Sequence, residues 1–121
     1  MSATPAFPID AELSSCASAE PFALRVIGDS MAPEFPEHCI IIIDPTHHCE
    51  NGAFVIVEYD GMRWFRRYVE HEGDRFLVPL NPNYPELHLT QPLQILGLVV
   101  QRNIRRKIKH YPNGQFPAAM T

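Results

Sequence analysis

The sequence AFVIVEYDGMRWFRRYV, residues 53–69, decides the fold class. Two runs rich in β-branched and aromatic residues flank an Asp-Gly pair at 60–61, and Asp-Gly is strongly preferred in two-residue hairpin turns. The pattern therefore predicts two antiparallel strands joined by a tight turn. Alternation along the second strand places Trp64, Arg66 and Tyr68 on one face. Arg66 is thus an isolated charge between two large aromatic residues.

Similar β-type runs extend on both sides of this hairpin, from Phe22 to about Asn103, with turn residues at roughly 8- to 12-residue intervals. The continuous run Cys39–Ile43 predicts a strand that is buried on both faces. Residues 81–85, NPNYP, form a proline-rich connection that excludes regular structure. No segment has a convincing helical period, so the sequence predicts an all-β fold.

The two ends of the chain differ in composition from this region. Residues 1–21 are rich in Ala, Ser and Pro and predict a flexible arm, which is too short for a helix-turn-helix. Residues 104–121 form a basic tail. We therefore expect one domain at 22–103 between an arm and a tail.

The composition excludes several classes of protein. The chain has 121 residues, of which 45% are hydrophobic, and a net charge of −4. That charge gives no general attraction for nucleic acid or anionic membranes. No apolar run approaches the roughly 18 residues of a membrane helix, and the first residues lack the pattern of a signal peptide. Three cysteines without a C-x-x-C pair indicate no disulfide framework, and we expect a cytoplasmic protein.

Ser30 is the candidate nucleophile. The predicted strand Leu24–Ile27 runs into a glycine turn at Gly28, which presents the Ser30 hydroxyl. Such a serine attacks a carbonyl only when a base can take its proton. The alternative is a turn serine that caps local backbone groups.

The order of motifs along the chain resembles one family of self-cleaving peptidases. The matching segments are LRVIGDSMAPEFPE, then IIIIDPTHHCENGAFVIVEYDG, RWFRRY, LVPLNPNYPEL and ILGLVV. They resemble the carboxy-terminal domain of LexA-type repressors and UmuD-type polymerase accessory proteins, which are serine–lysine peptidases with a signal-peptidase-like fold. The resemblance implies a curled antiparallel β fold with short turns, and dimers formed partly through the last strand.

The resemblance also implies the site residues. The nucleophile position falls on Ser30, with an oxyanion pocket made by backbone N–H groups at or beside it. Asp29 and Met31 are expected to lie in the same cleft. The general-base lysine position falls on Arg66, since the family's usual Val-Lys-Arg-Leu is Phe-Arg-Arg-Tyr here. The arm has no Ala-Gly or Cys-Gly pair of the kind that these proteins cut in themselves.

Arginine at the lysine position changes the expected chemistry. Burial lowers a lysine pKa from about 10.4 toward neutrality, a shift of roughly 3 units or about 4 kcal/mol. An arginine would need at least about 5 units, or about 7 kcal/mol, and proteins essentially do not do this. Arg66 is therefore expected to be a permanent cation that pairs with Asp29 or another carboxylate, or holds a peptide carboxylate in the cleft.

Lysines and histidines elsewhere in the chain are candidates for the base that Ser30 needs, and histidines and cysteines are candidates for metal ligands. The lysines are Lys107 and Lys109, both beyond the last predicted strand and not expected to reach the serine. His38 is the best-placed histidine for a serine–histidine pair. The cluster at 47–49, His-His-Cys, with His38 and Cys39 suits zinc by residue type but matches no standard spacing. We expect no metal and no cofactor.

The sequence thus predicts a catalytically silent, dimerising or protein-binding regulatory module, a pseudoenzyme linked by resemblance to the SOS stress response or phage-type repression. A homodimer and a peptide partner in the cleft are expected, without a membrane. The rival hypothesis is an active self-cleaving peptidase that uses Ser30 and a base other than lysine. A third hypothesis is a repressor fragment whose basic tail binds DNA weakly.

Overall fold

The computed structural model describes residues 20–117. Within them lie eight strands and one short 3-10 helix, Pro112–Gly114. The strands are β1 Phe22–Arg25, β2 Ile40–Pro45, β3 Phe54–Tyr59, β4 Met62–His71, β5 Asp74–Val78, β6 Leu87–Leu89, β7 Gln94–Ile104 and β8 Lys107–His110. The predicted all-β fold is confirmed.

All strands belong to one antiparallel sheet with the order β1-β2-β7-β3-β4-β5-β6. The long strand β7 is the organising element, because it pairs with β2 along one edge and with β3 and then β8 along the other. The consecutive strands β3 to β6 form a simple meander. This topology brings the start of the domain, β1, round toward the β3–β4 hairpin.

The β3–β4 hairpin forms as the sequence predicts. Its register runs from Tyr59 opposite Met62 to Phe54 opposite Arg67. The turn residues Asp60 and Gly61 both have positive φ, 54° and 77°, as a type I′ turn requires. The local Asp-Gly signal therefore fixes both the turn and the alternation of the two strands.

Two bulges curl the sheet. The register shifts by one residue between Ile42 and Ile43 on β2, and again between Ile56 and Val57 on β3, each time against β7. At Gly97 of β7 a Cβ atom would clash with the Ile43 side chain and lie 2.9 Å from the Asp44 carbonyl oxygen. The close crossing of β2 and β7 thus needs glycine.

Alternation along β3 divides the core into two clusters. Phe54 and Ile56 lie in the first cluster, with Phe35 and Tyr111. The intervening residues of β3 lie in the second cluster, whose other members include Tyr68, Leu77 and Leu89. Both faces of β3 are therefore covered, which makes it the most completely buried strand.

The isoleucine run differs in part from its prediction. Ile41 and Ile43 are fully buried, whereas Ile40 and Ile42 keep some exposure. One face of β2 therefore packs in the core, and the other is only partly covered. The prediction of burial on both faces was too strong for this strand near the sheet edge.

Part of the expected basic tail is folded. β7 continues to Ile104, and β8, Lys107–His110, pairs back onto it through a turn at Arg105-Arg106. The buried Tyr111 then enters the first core cluster. The expected arm lies outside the described residues except for its last two positions.

Candidate functional site in the cleft between β1 and β4

Ser30 lies on the loop that follows β1. The chain turns at Gly28, whose φ of 85° favours glycine, and the Gly28 N–H donates to Glu37 Oε2 at 3.1 Å. The Ser30 carbonyl accepts a hydrogen bond from the Asn81 N–H at 3.0 Å. The hydroxyl is therefore held on a loop that is fixed from both sides.

The residues after Ser30 anchor this loop in the core. Met31 is only 1% exposed, and its carbonyl accepts the Phe35 N–H at 2.9 Å. Phe35 is fully buried, with ring contacts to Phe54, Phe65 and Tyr111. Met31, expected in the cleft, instead packs in the first core cluster because its side chain is the loop's apolar anchor.

Asp29 lines the cleft, but its side chain is bound to the proline-rich connection. Its Oδ1 accepts the Tyr84 hydroxyl at 2.6 Å, and its carbonyl accepts Asn81 Nδ2 at 2.9 Å. The hydrogen bond to Asp29, together with its negative charge, raises the pKa of Tyr84 above its ordinary value. Asn81 and Tyr84 therefore belong to the site, although the sequence offered only turn chemistry at these positions.

Arg66 meets the Ser30 hydroxyl. It lies on β4 opposite Val55 of β3, and its Nη1 donates to Ser30 Oγ at 2.9 Å and to the Phe65 carbonyl at 2.8 Å. Its Cζ is 5.2 Å from the centre of the Trp64 ring. Burial lowers the pKa of this half-buried guanidinium below its ordinary value. A guanidinium has no lone pair to offer and stays protonated in proteins, so Arg66 is a donor to Ser30.

Arg66 has no carboxylate partner within residues 20–117. No salt bridge in that range includes it, although Glu34 forms two with other cations. The expected pair with Asp29 is absent because the Asp29 carboxylate is already bound to Tyr84. The Ser30–Arg66 contact is therefore a hydrogen bond between a hydroxyl and a cation that lacks an ion-pair partner.

The other candidate bases lie on different parts of the surface. His38 is exposed, faces Glu37 at 3.7 Å and lines a separate depression with Cys39 and Asn103. His47 Nδ1 lies 3.2 Å from the Ile95 carbonyl oxygen. Lys109 Nζ donates to Glu34 Oε2 at 2.7 Å. None of these groups makes a hydrogen bond to Ser30 in the described part of the chain.

The candidate zinc ligands do not come together. Across residues 20–117, no group of three or more histidines, cysteines and acidic residues is arranged to hold a metal ion. Burial raises the pKa of the Cys39 and Cys49 thiols to about 11, which disfavours the thiolate that metals bind. The donor set around these two cysteines therefore does not fit a metal.

A cleft of about 630 Å³ opens beside Ser30 and Arg66. One wall comes from β1 and the loop after it, and the other from the first half of β4, which β5 leaves uncovered because it pairs with β4 only from Arg67 onward. Its lining is mostly apolar and includes Leu24, Ile27, Met62 and Trp64. Its volume and mostly apolar lining are those of a ligand-binding cleft.

The serine on a glycine turn, the apolar cleft and the cationic side chain at the hydroxyl match the layout that the resemblance to serine–lysine peptidases implies. The chain belongs to the Peptidase S24-like family, whose model matches residues 4–100. The resemblance seen in the sequence is therefore confirmed.

Relatives among characterised proteins are repressors and regulators. The chain is 38% identical to Repressor protein C2 of Salmonella phage P22 over 72% of its length, and 34% identical to Prophage repressor CohE of Escherichia coli over 73%. It is 32% identical to the LexA repressor of Verrucomicrobium spinosum over 67%. The matched regions cover 43%, 41% and 40% of those proteins, so the chain aligns with about two fifths of their length.

No helix within residues 20–117 is long and apolar enough to cross a membrane.

Proposed function

We propose that this chain is a catalytically silent S24-like domain that acts as a regulatory module, by dimerising and by binding a protein partner in the cleft. The observation that carries the proposal is the hydrogen bond from Arg66 Nη1 to Ser30 Oγ at 2.9 Å. Ser30 occupies the nucleophile position and Arg66 the position of the family's general base. In this hydrogen bond Arg66 donates and the Ser30 oxygen accepts, which is the role of a structural contact and not of a general base.

We infer that the domain is catalytically silent because, within residues 20–117, the Ser30 hydroxyl has no group beside it that can accept its proton. A serine hydroxyl becomes a nucleophile when a neighbouring base removes its proton in the attack on a carbonyl. Arg66 has no lone pair for that proton. Losing its own proton at neutral pH would cost at least about 7 kcal/mol, because its pKa would have to fall by about 5 units. Burial shifts that pKa in the required direction, but a guanidinium stays protonated in proteins and offers no lone pair.

The regulatory role is supported by the names of the relatives. Three relatives are named repressors, from a phage, a prophage and a LexA system, and others are named HTH-type transcriptional regulators of conjugative elements. We infer that this chain works in regulation of the same kind, through contacts rather than through self-cleavage. A homodimer follows from the proposal, and analytical ultracentrifugation of the full chain tests it.

The silence is tested by chemistry at Ser30. The purified chain is incubated at neutral and at alkaline pH and its mass is followed, and a fluorophosphonate probe is applied in parallel. We expect no cleavage and no labelling above that of the Ser30→Ala variant. Cleavage or labelling that needs Ser30 would show an active peptidase with another base and would overturn the proposal.

The Arg66→Lys variant is the matched positive control. It restores the residue type of the family at the same position, and a lysine pKa can fall far enough on burial to supply a base. We expect weak labelling of Ser30 that rises with pH. If Ser30 is labelled in Arg66→Lys and not in the wild type, the guanidinium of Arg66 is the cause of the missing activity.

A further inference from the structure

We propose that the cleft beside Ser30 binds the carboxyl-terminal end of a peptide from another protein, with the terminal carboxylate on Arg66. This inference rests on the proposed function, because a peptidase would cut a bound chain rather than retain it. It adds the chemical class of the partner. Three features support it: the free donors of Arg66, the charges of the lining and its apolar walls.

The first observation is the set of unused donors on Arg66. Nη1 is bound to Ser30 Oγ and to the Phe65 carbonyl, whereas Nε and Nη2 have no hydrogen-bond partner within residues 20–117. Within that range, Arg102 Nε is the one side-chain N or O atom that is fully buried and has no hydrogen-bond partner. The two Arg66 nitrogens also have no partner, so they are not fully buried and keep contact with solvent. Two adjacent guanidinium nitrogens match the two oxygens of one carboxylate.

The second observation is the sign of charge in the cleft. Arg25 and Arg66 line it against one aspartate, Asp29, whose carboxylate is bound to the Tyr84 hydroxyl. The lining is therefore positive although the whole chain has a net charge of −4. A cation that is partly removed from water without a counter-ion gains most from an anionic ligand.

The third observation is the apolar surface next to that charge. Ile27 and Met62 are 62% and 58% exposed at the cleft, and the Trp64 ring lies beside the guanidinium. Isolated exposed residues of this kind are common, but here they share one groove with a cation that has no carboxylate partner within residues 20–117. The ligand is therefore both anionic at one point and apolar around it.

These features favour a terminal carboxylate over an acidic side chain. A chain terminus carries its carboxylate on the main chain, so the last side chain stays free to cover Ile27, Met62 or Trp64. An aspartate or glutamate would use its own side chain on Arg66 and leave those walls exposed. The expected ligand thus ends in an apolar residue with a free carboxylate.

The test uses Trp64, the only tryptophan of the chain, as an internal fluorescence reporter. The full chain is titrated with a pool of hexapeptides that lack Trp and Tyr and end in leucine, valine or phenylalanine. A second pool has the same sequences with a carboxyl-terminal amide. We expect the free-acid pool to bind about 10- to 100-fold more tightly, the usual value of a charge-assisted hydrogen bond. Equal binding, or no binding of either pool at millimolar concentration, would overturn the inference.

Two variants assign the effect to its residue. Arg66→Gln is expected to abolish the preference for the free acid, whereas Arg106→Gln, which removes the same charge from an exposed turn outside the cleft, is expected to retain it. Circular dichroism checks that both variants fold. The inference fails if Arg106→Gln and Arg66→Gln lose the preference equally.

A third peptide pool separates the two sources of carboxylate. It ends in a glutamate whose own terminus is amidated, and binding as tight as that of the free-acid pool would overturn the terminal assignment. Mass spectrometry of the same mixtures reports any cut peptides. Cutting that depends on Ser30 contradicts the proposed function, whereas intact peptides without a free-acid preference contradict this inference alone.

Discussion

Two regions of the molecule place cations in partly buried positions, and they differ in what faces the charge. Around Glu34, Oε2 accepts Lys109 Nζ at 2.7 Å and the Tyr111 hydroxyl at 2.6 Å. Arg102 Nη1 lies 3.4 Å from the same oxygen and donates to the Glu34 carbonyl at 2.6 Å. In the cleft, Arg66 faces a serine hydroxyl and a carbonyl instead.

The difference separates a structural cation from one that is available to a ligand. The Glu34 cluster joins the loop after Ser30 to β7 and β8 across long sequence separations, and its two cations share the Glu34 carboxylate. Arg66 is held by two neutral acceptors, and its charge is not balanced by any carboxylate in the described residues. The comparison predicts opposite responses to removal of charge in the two places.

The largest expected effect is on stability in the Glu34 cluster. Glu34→Gln leaves Arg102 and Lys109 without a counter-ion, and breaking such a group is costly because the cations remain partly buried. We expect a loss of about 2 kcal/mol in the free energy of unfolding, measured by urea denaturation. The exposed Glu58→Gln is the control, with an expected change below about 0.5 kcal/mol. Equal losses in the two variants would contradict the comparison.

The next effect compares the two arginines directly. Arg102→Met is expected to lower the free energy of unfolding by about 1 to 2 kcal/mol, because it leaves the Glu34 carbonyl and carboxylate with fewer donors. Arg66→Met is expected to change it by less than about 0.5 kcal/mol or to raise it, because an apolar side chain replaces an unbalanced cation of similar length. Denaturant midpoints of the two variants decide the point. A larger loss for Arg66→Met would place Arg66 with the structural cations.

The sequence predicts the parts of this comparison that depend on local signals. Asp60-Gly61 and the alternation after it fix β3 and β4, and the same alternation puts Arg66 on one face with Trp64. The resemblance to the S24-like family pairs Arg66 with Ser30. The all-β class can be predicted from the spacing of β-type runs and turn residues, because each strand or turn is indicated by a few neighbouring residues.

What the sequence does not predict depends on uncommon turns and distant contacts. β8 is missed because its turn uses Arg105 and Arg106 at positive φ, 52° and 71°, where glycine or asparagine is the usual signal. The Glu34 cluster joins residues 68 to 77 positions apart, for which no local pattern exists. Met31 is misplaced for a similar reason, since only the folded loop shows that its side chain points into the core.

A smaller effect concerns acid. Burial of Glu34 raises its pKa, but hydrogen bonds from Lys109 and Tyr111 and the charges of Lys109 and Arg102 outweigh it, so the net pKa lies below the ordinary 4.5. A carboxyl group with a lowered folded pKa stabilises the fold above its unfolded pKa, and this contribution is lost as the pH falls through the folded pKa. The stability difference between the wild type and Glu34→Gln is therefore expected to be constant near neutrality and to shrink below about pH 4.5.

Urea denaturation across that pH range gives the measurement, with Glu58→Gln again as the reference. A difference that stays constant down to strongly acidic pH would mean that the Glu34 charge contributes nothing beyond its hydrogen bonds.

The smallest effect tests why Arg66 lacks a carboxylate although Asp29 lines the same cleft. The Tyr84 hydroxyl binds Asp29 Oδ1 at 2.6 Å, and this contact raises the Tyr84 pKa, an effect that the nearby positive charge of Arg66 only partly offsets. Tyr84→Phe removes the hydroxyl, so the Asp29 carboxylate becomes available to Arg66 as an internal counter-ion. We expect the free-acid peptide pool to bind about two- to fivefold more weakly, as the competition of an exposed ion pair allows. Adding Asp29→Asn should restore binding to the wild-type level; if it does not, Tyr84 contributes through its own contacts with the peptide rather than through Asp29.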